Sequence, residues 1–205
     1  MRKLLCILLP LLFGTAAFAG DAGERPPLRW GIDWGYGTDI YTYRDYIYTD
    51  PQVGYLVPFS ESLLNFRANA YVTAKIGYEP IPTLEVSLLS GIMGLGAGRS
   101  VIPIGLQLSW HPSGCISDGL FLTTGAGVGL NPDVLSSNAS FALLGAGWRT
   151  ALNPVWDLDI ILRVRAAGDA PPIWDEFEQN YIQDSYIRKN IAVSLSMELG
   201  IALSF

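Results

Sequence analysis

The sequence is poor in the residues that build most catalytic and metal sites. Its 205 residues include two cysteines and one histidine. Cys6 lies in an apolar segment at the start of the chain, so only Cys115 remains beyond it and an intramolecular disulfide is excluded. Charged residues make up 16% of the chain and form no basic patch, which gives no support for nucleic-acid binding. After residue 19 there is no run of ~18 apolar residues, so the sequence also excludes transmembrane helices.

The start of the chain has the pattern of a secretory signal peptide. It opens Met-Arg-Lys, continues with an apolar run over residues 4–13 and reaches Ala-Phe-Ala, an A-x-A cleavage site, at residues 17–19. We predict a signal peptide over residues 1–19 and a periplasmic lead over residues 20–27. Loss of the two basic residues would change the formal net charge from −6 to −8 (−6 − 2).

Alternation of apolar and small or polar residues is the dominant pattern of the rest, and it is clearest at residues 190–205. A period of two is that of a β-strand with one apolar face. The segment is longer than the usual strand of about five or six residues. It fits a tilted strand that crosses a bilayer, which needs roughly 9–11 residues in the hydrocarbon. The apolar positions are Ile191, Val193, Leu195, Met197, Leu199, Ile201, Leu203 and Phe205.

Seven earlier segments alternate in the same way. The eight predicted strands cover about 28–43, 63–78, 83–96, 101–111, 119–130, 139–151, 155–167 and 190–205. Long loops over residues 44–62 and 168–189 fall on one side of the predicted sheet, and three short turns fall on the other. We therefore predict an all-β fold, an eight-stranded antiparallel up-and-down transmembrane β-barrel over residues 28–205. A soluble β-sandwich is the alternative, which the length of the segments disfavours.

Aromatic residues support the membrane prediction. Six of them lie at the turn-side ends of their strands and share the outward parity, as expected for rings at a bilayer interface. They are Trp30, Tyr78, Trp110, Trp148, Trp156 and Phe205.

The closing strand with its carboxy-terminal Phe205 resembles that of Gram-negative outer-membrane barrels, and the whole pattern resembles the small OmpA- and OmpX-type eight-stranded barrels. The resemblance rests on pattern and implies a topology and a location in the outer membrane of a Gram-negative bacterium. It also implies recognition by the barrel-assembly machinery, contact with lipid and lipopolysaccharide, and a monomeric state. It implies no particular activity.

The charged residues on the inward parity suggest ion pairs in the lumen. A turn at residues 79–82 sets Lys75 across from Glu85, and a turn around Asn153 sets Arg149 opposite Asp157. Aligning Trp156 with Phe205 at one interface brings Arg163 near Glu198. These three predicted pairs would cross a narrow lumen, and we expect a plugged barrel.

One element suggests chemistry. His111-Pro112-Ser113 resembles the His-x-Ser element of outer-membrane lipid A deacylases, which pair it with a glutamate about a dozen residues downstream. That position is Gly125 here, and a Ser–His pair without an orienting carboxylate is poorly activated. We therefore expect no enzymatic activity, with a lipid A-modifying hydrolase that uses His111 and Ser113 as an alternative. Glycine-rich stretches at residues 94–98 and 125–129 keep strand parity, which indicates lumen-facing positions and not a nucleotide loop.

The two long loops are the remaining candidates for function. They are rich in aromatic residues, which on loops of a rigid scaffold are typical contact residues. We expect a structural or surface-interacting protein without a cofactor, and a narrow solute channel is the further alternative. Three acidic residues of the second loop suggest Ca²⁺ only weakly, because they lack a regular ligand spacing. The aromatic residues are Tyr41, Tyr43, Tyr46, Tyr48, Tyr55, Trp174, Phe177, Tyr181 and Tyr186, and the acidic residues are Asp175, Glu176 and Glu178.

Overall fold

Alternating residues form long antiparallel strands that close on themselves. A computed structural model describes residues 28–95, 99–132, 137–153, 155–175 and 179–205. The strands are β1 (Leu28–Thr49), β2 (Leu56–Ile81), β3 (Leu84–Leu95), β4 (Arg99–Trp110), β5 (Gly119–Leu130), β6 (Ser137–Ala151), β7 (Asp157–Asp169), β8 (Trp174–Asp175), β9 (Asn180–Tyr181) and β10 (Ile187–Ser204). A short 3-10 helix spans Asp184–Tyr186.

Eight of these strands form a closed barrel in the order β1-β10-β7-β6-β5-β4-β3-β2, and every pairing is antiparallel. The predicted fold is therefore confirmed. The two-residue strands β8 and β9 form a separate hairpin between β7 and β10. The predicted signal peptide and lead, residues 1–27, lie outside the described residues.

The outer surface of the barrel is a continuous apolar band. Large apolar residues of one parity on each strand point outward and are exposed, for example Val72 at 55%, Leu106 at 59%, Leu144 at 67%, Leu162 at 53% and Leu199 at 60%. A closed barrel with an outward apolar band is a membrane-spanning barrel of the outer-membrane type. The chain therefore belongs in the outer membrane of a Gram-negative bacterium. Short turns of such barrels face the periplasm, so we assign the rim that carries the short turns and both ends of the barrel sequence as periplasmic.

No described segment forms a helix that is long and apolar enough to span a membrane.

The structure corrects both long-loop predictions. β1 continues to Thr49 and β2 starts at Leu56, so the loop predicted at residues 44–62 is mostly strand. The sequence predicts a loop here because the stretch contains several tyrosine and aspartate residues and two prolines. Pro58 is tolerated since β2 has a partner on one side only at this level, as at a sheet edge.

The second predicted loop, residues 168–189, is likewise shorter than expected. β7 extends to Asp169 and β10 begins at Ile187, with the β8–β9 hairpin and the 3-10 helix between them. The strands β10, β1 and β2 thus continue past the end of β7 and β3 and form a three-stranded extension on the side opposite the chain ends. We call this part the extracellular sheet.

The registers of two periplasmic hairpins also differ from the prediction. Lys75 lies opposite Leu89 and not Glu85, because β2 runs on to Ile81 with an irregularity after Tyr78. Arg149 lies opposite Asp159 and not Asp157. In both cases the centre of the turn lies one or two residues from its predicted position. The prolines and the Asn-Pro dipeptide indicate that a turn occurs but do not specify its central residue.

Candidate functional site

The periplasmic half of the lumen is filled by a buried ion network around Arg149. Its Nε lies 2.8 Å from Asp159 and a terminal nitrogen lies 3.2 Å from Glu85. The guanidinium also donates to the carbonyl oxygen of Cys115 at 3.0 Å and lies 3.8 Å from Asp157. Arg149 itself is 1% exposed. One planar cation therefore ties β6, β7, β3 and the turn after β4 together.

Two further cations complete this network. The Nζ of Lys75 lies 3.8 Å from carboxylate oxygens of both Glu85 and Asp159, so Lys75 and Glu85 meet diagonally although they are not opposite in the ladder. Arg29 lies 2.6 Å from Asp157 and 3.5 Å from Glu79. Each buried charge thus has an opposite charge nearby, which offsets the cost of removing it from water.

A second ion cluster lies nearer the middle of the barrel. Arg163 is directly opposite Glu198 on β10, and its Nε lies 2.7 Å from that carboxylate. Arg163 also contacts Asp33 at 2.8 Å, and Arg165 contacts Glu198 at 2.7 Å. The guanidinium carbon of Arg163 stands 4.1 Å from the ring centre of Tyr71.

Tyr71 is buried in the lumen at this level. Its hydroxyl donates to Asp33 at 3.0 Å, and its ring end rests against the backbone of Gly200 and Gly35. A methyl group at Gly200 would collide with the Tyr71 hydroxyl, so this position requires glycine. The aromatic ring and the two arginines therefore fill the lumen beside β2, β1, β10 and β7.

The six aromatic residues predicted for the interface share one rim. Tyr78, Trp110, Trp148 and Trp156 are between 37% and 54% exposed, and all lie on the outer surface. Phe205 exchanges two backbone hydrogen bonds of 2.8 Å with Trp30, and its ring lies 4.7 Å from that of Trp156. The last residue of the chain is therefore joined to both neighbouring strands.

His111 and Ser113 do not form a catalytic pair in the described geometry. His111 is 2% exposed, stacks on Phe121 at 4.9 Å and has its Nε2 3.9 Å from Glu85. Burial, followed by the nearby Arg149 guanidinium, lowers the pKa of His111 to about 4. Ser113 is exposed on the periplasmic turn, and no hydrogen bond among the described residues joins the two side chains.

Cys115 is buried in the same turn. Burial raises the pKa of its thiol to about 12, with the carboxylates of Glu79 and Glu85 as further causes. A thiol that stays protonated and has no access to solvent is unreactive. Its backbone holds the turn in place, since the Cys115 amide donates to the Pro82 carbonyl at 2.7 Å.

The predicted acidic and aromatic loop residues are only partly brought together. Tyr46 stacks on Phe59 at 4.6 Å and lies 6.3 Å from Tyr48, while Trp174 meets Tyr181 edge to face at 5.0 Å. Among the Ca²⁺ candidates Asp175 is buried. Glu176, Phe177 and Glu178 lie outside the described residues. The described part of the chain holds no cluster of three or more His, Cys, Asp or Glu side chains that could bind a metal ion.

β2 has a long free edge in the extracellular sheet. It pairs with β1 over its whole length, but its pairing with β3 begins only at Tyr71. Residues 56–70 therefore have no strand partner on one side among the described residues. Exposed apolar side chains line this stretch, with Leu64 at 78% and Phe66 at 80% exposure.

A cavity of about 220 Å³ lies beside this edge, between β1 and β2. Its lining residues are Thr42, Arg44, Glu61, Leu63, Asn65 and Arg67. A smaller cavity of about 20 Å³ on the β10 side shares Thr42 and Arg44. Arg44 lies in the predicted loop, and Arg67 lies on the inward parity of the strand predicted at about 63–78 without a predicted partner.

Several lumen residues were also missed as partners, namely Arg29, Asp33, Tyr71, Asp159 and Arg165. Their inward parity was visible in the alternation. The contact between Arg163 and Asp33, however, joins β7 to β1, which are not neighbours in the barrel. Register arguments reach only adjacent strands.

The chain matches no family model and no curated protein. Among solved structures it is similar to Neisserial surface protein A, with 12% identity over 88% of this chain and 98% of that one and a TM-score of 0.40. It is similar to the outer membrane protein OprG from Pseudomonas aeruginosa, with 12% identity over 90% and 99% and a TM-score of 0.45. It is also similar to the outer membrane protease OmpT from Escherichia coli, with 8% identity over 90% and 99% and a TM-score of 0.39. These similarities are too low to assign an activity.

Proposed function

We propose that this protein is a non-enzymatic, non-conducting outer-membrane barrel that binds a partner protein at the cell surface by strand addition to β2. The observation that carries the proposal is the free edge of β2 over residues 56–70. An exposed edge offers unpaired backbone N–H and C=O groups in a regular row, and an extended peptide of a partner satisfies them.

The exposed side chains fit this role. Phe66, Leu64 and Leu56 are apolar and at least half exposed, so an added strand would bury them. Pro58 and the charge of Glu61 lie on the same stretch. Such residues restrict unspecific pairing between edges, which favours a particular partner over aggregation.

The lumen supports the non-conducting part of the proposal. Arg149, Arg163 and Arg165 are each at most 5% exposed and each has a carboxylate within 3.2 Å. Eight-stranded barrels have an interior just wide enough for side chains to fill it. The side chains that fill this lumen would block the passage of a solute.

The buried state of His111 argues against the hydrolase alternative. A general base must come within hydrogen-bond reach of the substrate proton, and the imidazole is enclosed by Phe121, Glu85 and the turn. Lipid and lipopolysaccharide as surroundings, delivery by the barrel-assembly machinery and a monomeric state belong to the same proposal.

Panning of a random-peptide phage library against the folded protein in detergent tests the proposal. A matched variant has residues 42–63 replaced by an Asn-Gly turn, which keeps the pairing of Tyr41 with Leu64 and removes residues 56–63 of the free edge. We expect peptides that slow amide hydrogen exchange along residues 56–63 of the wild type and bind the variant at least tenfold more weakly. Recovery of only those peptides that bind both proteins equally would contradict the proposal.

A further inference from the structure

We propose that the extracellular cavity between β1 and β2 is a binding site for a phosphate oxyanion, held by Arg44 and Arg67. The cavity measures about 220 Å³ and lies between two adjacent strands. In the ladder Thr42 is opposite Leu63 and Arg44 is opposite Glu61, so the lining residues share the inner face of the extracellular sheet.

The two arginines differ from the other arginines of the barrel interior. Arg29, Arg99, Arg149, Arg163 and Arg165 each form an ion pair with a carboxylate. Within the described part of the chain no such ion pair involves Arg44 or Arg67. Their positive charges are therefore available to a ligand.

Among the described residues, the acidic side chains beside this pair of cations have other partners or form no ion pair with it. Asp169 lines the smaller cavity with Arg44, but it is paired with Arg99. Asp39 is opposite Arg67, but its carboxylate accepts hydrogen bonds from Ser196 at 2.6 Å and Asn69 at 3.4 Å. Glu61 is opposite Arg44 without an ion pair between them. Two guanidinium groups and one carboxylate give the cavity a formal charge of +1, which favours an anion.

The donor set favours phosphate. A guanidinium presents a rigid fork of N–H donors that matches phosphate in a bidentate manner. The Thr42 hydroxyl and the Asn65 amide add neutral donors to the same wall. Two forks and two neutral donors suit the three terminal oxygens of a phosphate monoester.

The position of the cavity allows two sources of that phosphate. The outward neighbours Leu64 and Phe66 continue the apolar surface up to this level, so the cavity lies near the head groups of the outer leaflet. The wall ends beside β2 here, since its pairing with β3 starts at Tyr71. The ligand is either a phosphorylated lipid head group or a free phosphorylated solute.

Titration of the folded full-length protein in a phosphate-free maltoside detergent tests the site, with chloride at matched ionic strength as the reference. The probes are inorganic phosphate, glucose 6-phosphate and lipid A, and the readouts are heat of binding and the NMR signals of arginine Nε–H groups. We expect saturable binding that weakens at least tenfold in Arg44→Gln/Arg67→Gln. Arg188→Gln, which removes an exposed arginine outside the cavity, should leave binding unchanged.

The remaining measurements distinguish the two sources of the phosphate and check that each variant is folded. Lipid A that binds more tightly than its dephosphorylated form and than glucose 6-phosphate identifies the lipid, and the reverse order identifies the free solute. Arg44→Lys/Arg67→Lys keeps both charges and should show intermediate affinity, with the heat-dependent gel shift of each variant as the folding check. Absence of saturable binding by all three probes, or equal binding by the double Gln variant, overturns the proposal. The edge of β2 is intact in these variants, so the peptide test of the proposed function is unaffected.

Discussion

Arg163 and Glu198 face each other across the β7–β10 ladder inside the barrel, and the guanidinium Nε lies 2.7 Å from the carboxylate. Each of the two residues has a second ionic partner, since Arg163 also binds Asp33 and Glu198 also binds Arg165. The four residues therefore form one buried cluster with two charges of each sign.

Reversal of one charge in this cluster should destabilise the barrel. Glu198→Arg leaves three cations around one carboxylate, and breaking a buried pair costs roughly 3–5 kcal/mol. Adding Arg163→Glu should restore only part of the loss, since the new glutamate faces Asp33 and the new arginine faces Arg165. Urea titration of the heat-modifiable folded band measures both effects. If the change in unfolding free energy of the double variant equals the sum of the changes in the two single variants, the two positions are not coupled.

The packed lumen predicts that the wild-type barrel carries no steady ion current. Tyr71, Arg149 and Arg163 are buried in it and held by hydrogen bonds and ion pairs, and Arg149 reaches from β6 to Glu85 on β3. Planar bilayer recording with a general porin as the positive control provides the measurement. Stable single-channel steps from the purified protein would refute the plug.

Deletion of Phe205 should impair assembly in cells. The residue forms two backbone hydrogen bonds with Trp30 and stacks on Trp156, and by resemblance it also ends the segment that the barrel-assembly machinery recognises. Outer-membrane levels of the deletion variant and of Phe205→Tyr should differ, because the tyrosine keeps the ring and the strand end. Folding in detergent separates a lost contact from a lost signal. Wild-type membrane levels of the deletion variant would argue against both roles.

His111 should make the barrel less stable in mild acid. Its folded pKa is lowered to about 4 from 6.5, with burial as the first cause and Arg149 as the second. The unfolded chain therefore binds a proton between these two values while the folded chain does not, so stability falls as the pH decreases from 6.5 to about 4. The loss amounts to on the order of 3 kcal/mol at 1.36 kcal/mol per pKa unit.

The matched variant for this prediction is His111→Gln, which has no titrating ring. The difference in unfolding free energy between wild type and variant should change over that pH window and be constant above it. Parallel pH curves for the two proteins would show that the ring does not resist protonation.

The architecture could be predicted from the alternation because each outward position meets lipid and each inward position meets the lumen. A one-residue error in parity would place Arg163 or Glu85 in hydrocarbon, so the pattern along each strand is strongly constrained. The count of eight strands and the all-antiparallel topology followed, and the structure confirms both.

The extracellular sheet shows where the pattern was insufficient. Residues 44–49 and 56–62 mix apolar side chains such as Ile47, Leu56 and Phe59 with polar ones in no regular alternation, so the sequence predicts a loop there. They are strands since β1 continues its pairing with β10 and β2 beyond the membrane. This pairing depends on the tertiary structure, and so does the cavity that it creates.

The sequence by itself determined the class of protein, the direction in which each strand side chain points and the membrane that surrounds it, because those depend on a local period of two. Only the tertiary structure decided which inward charges meet. The contact of Arg163 with Asp33 joins β7 and β1, which flank β10 and do not pair with each other, and that of Lys75 with Glu85 depends on a turn displaced from its expected centre. Barrel closure and hairpin register fix these distances, and both arise from long-range pairing that no local pattern encodes.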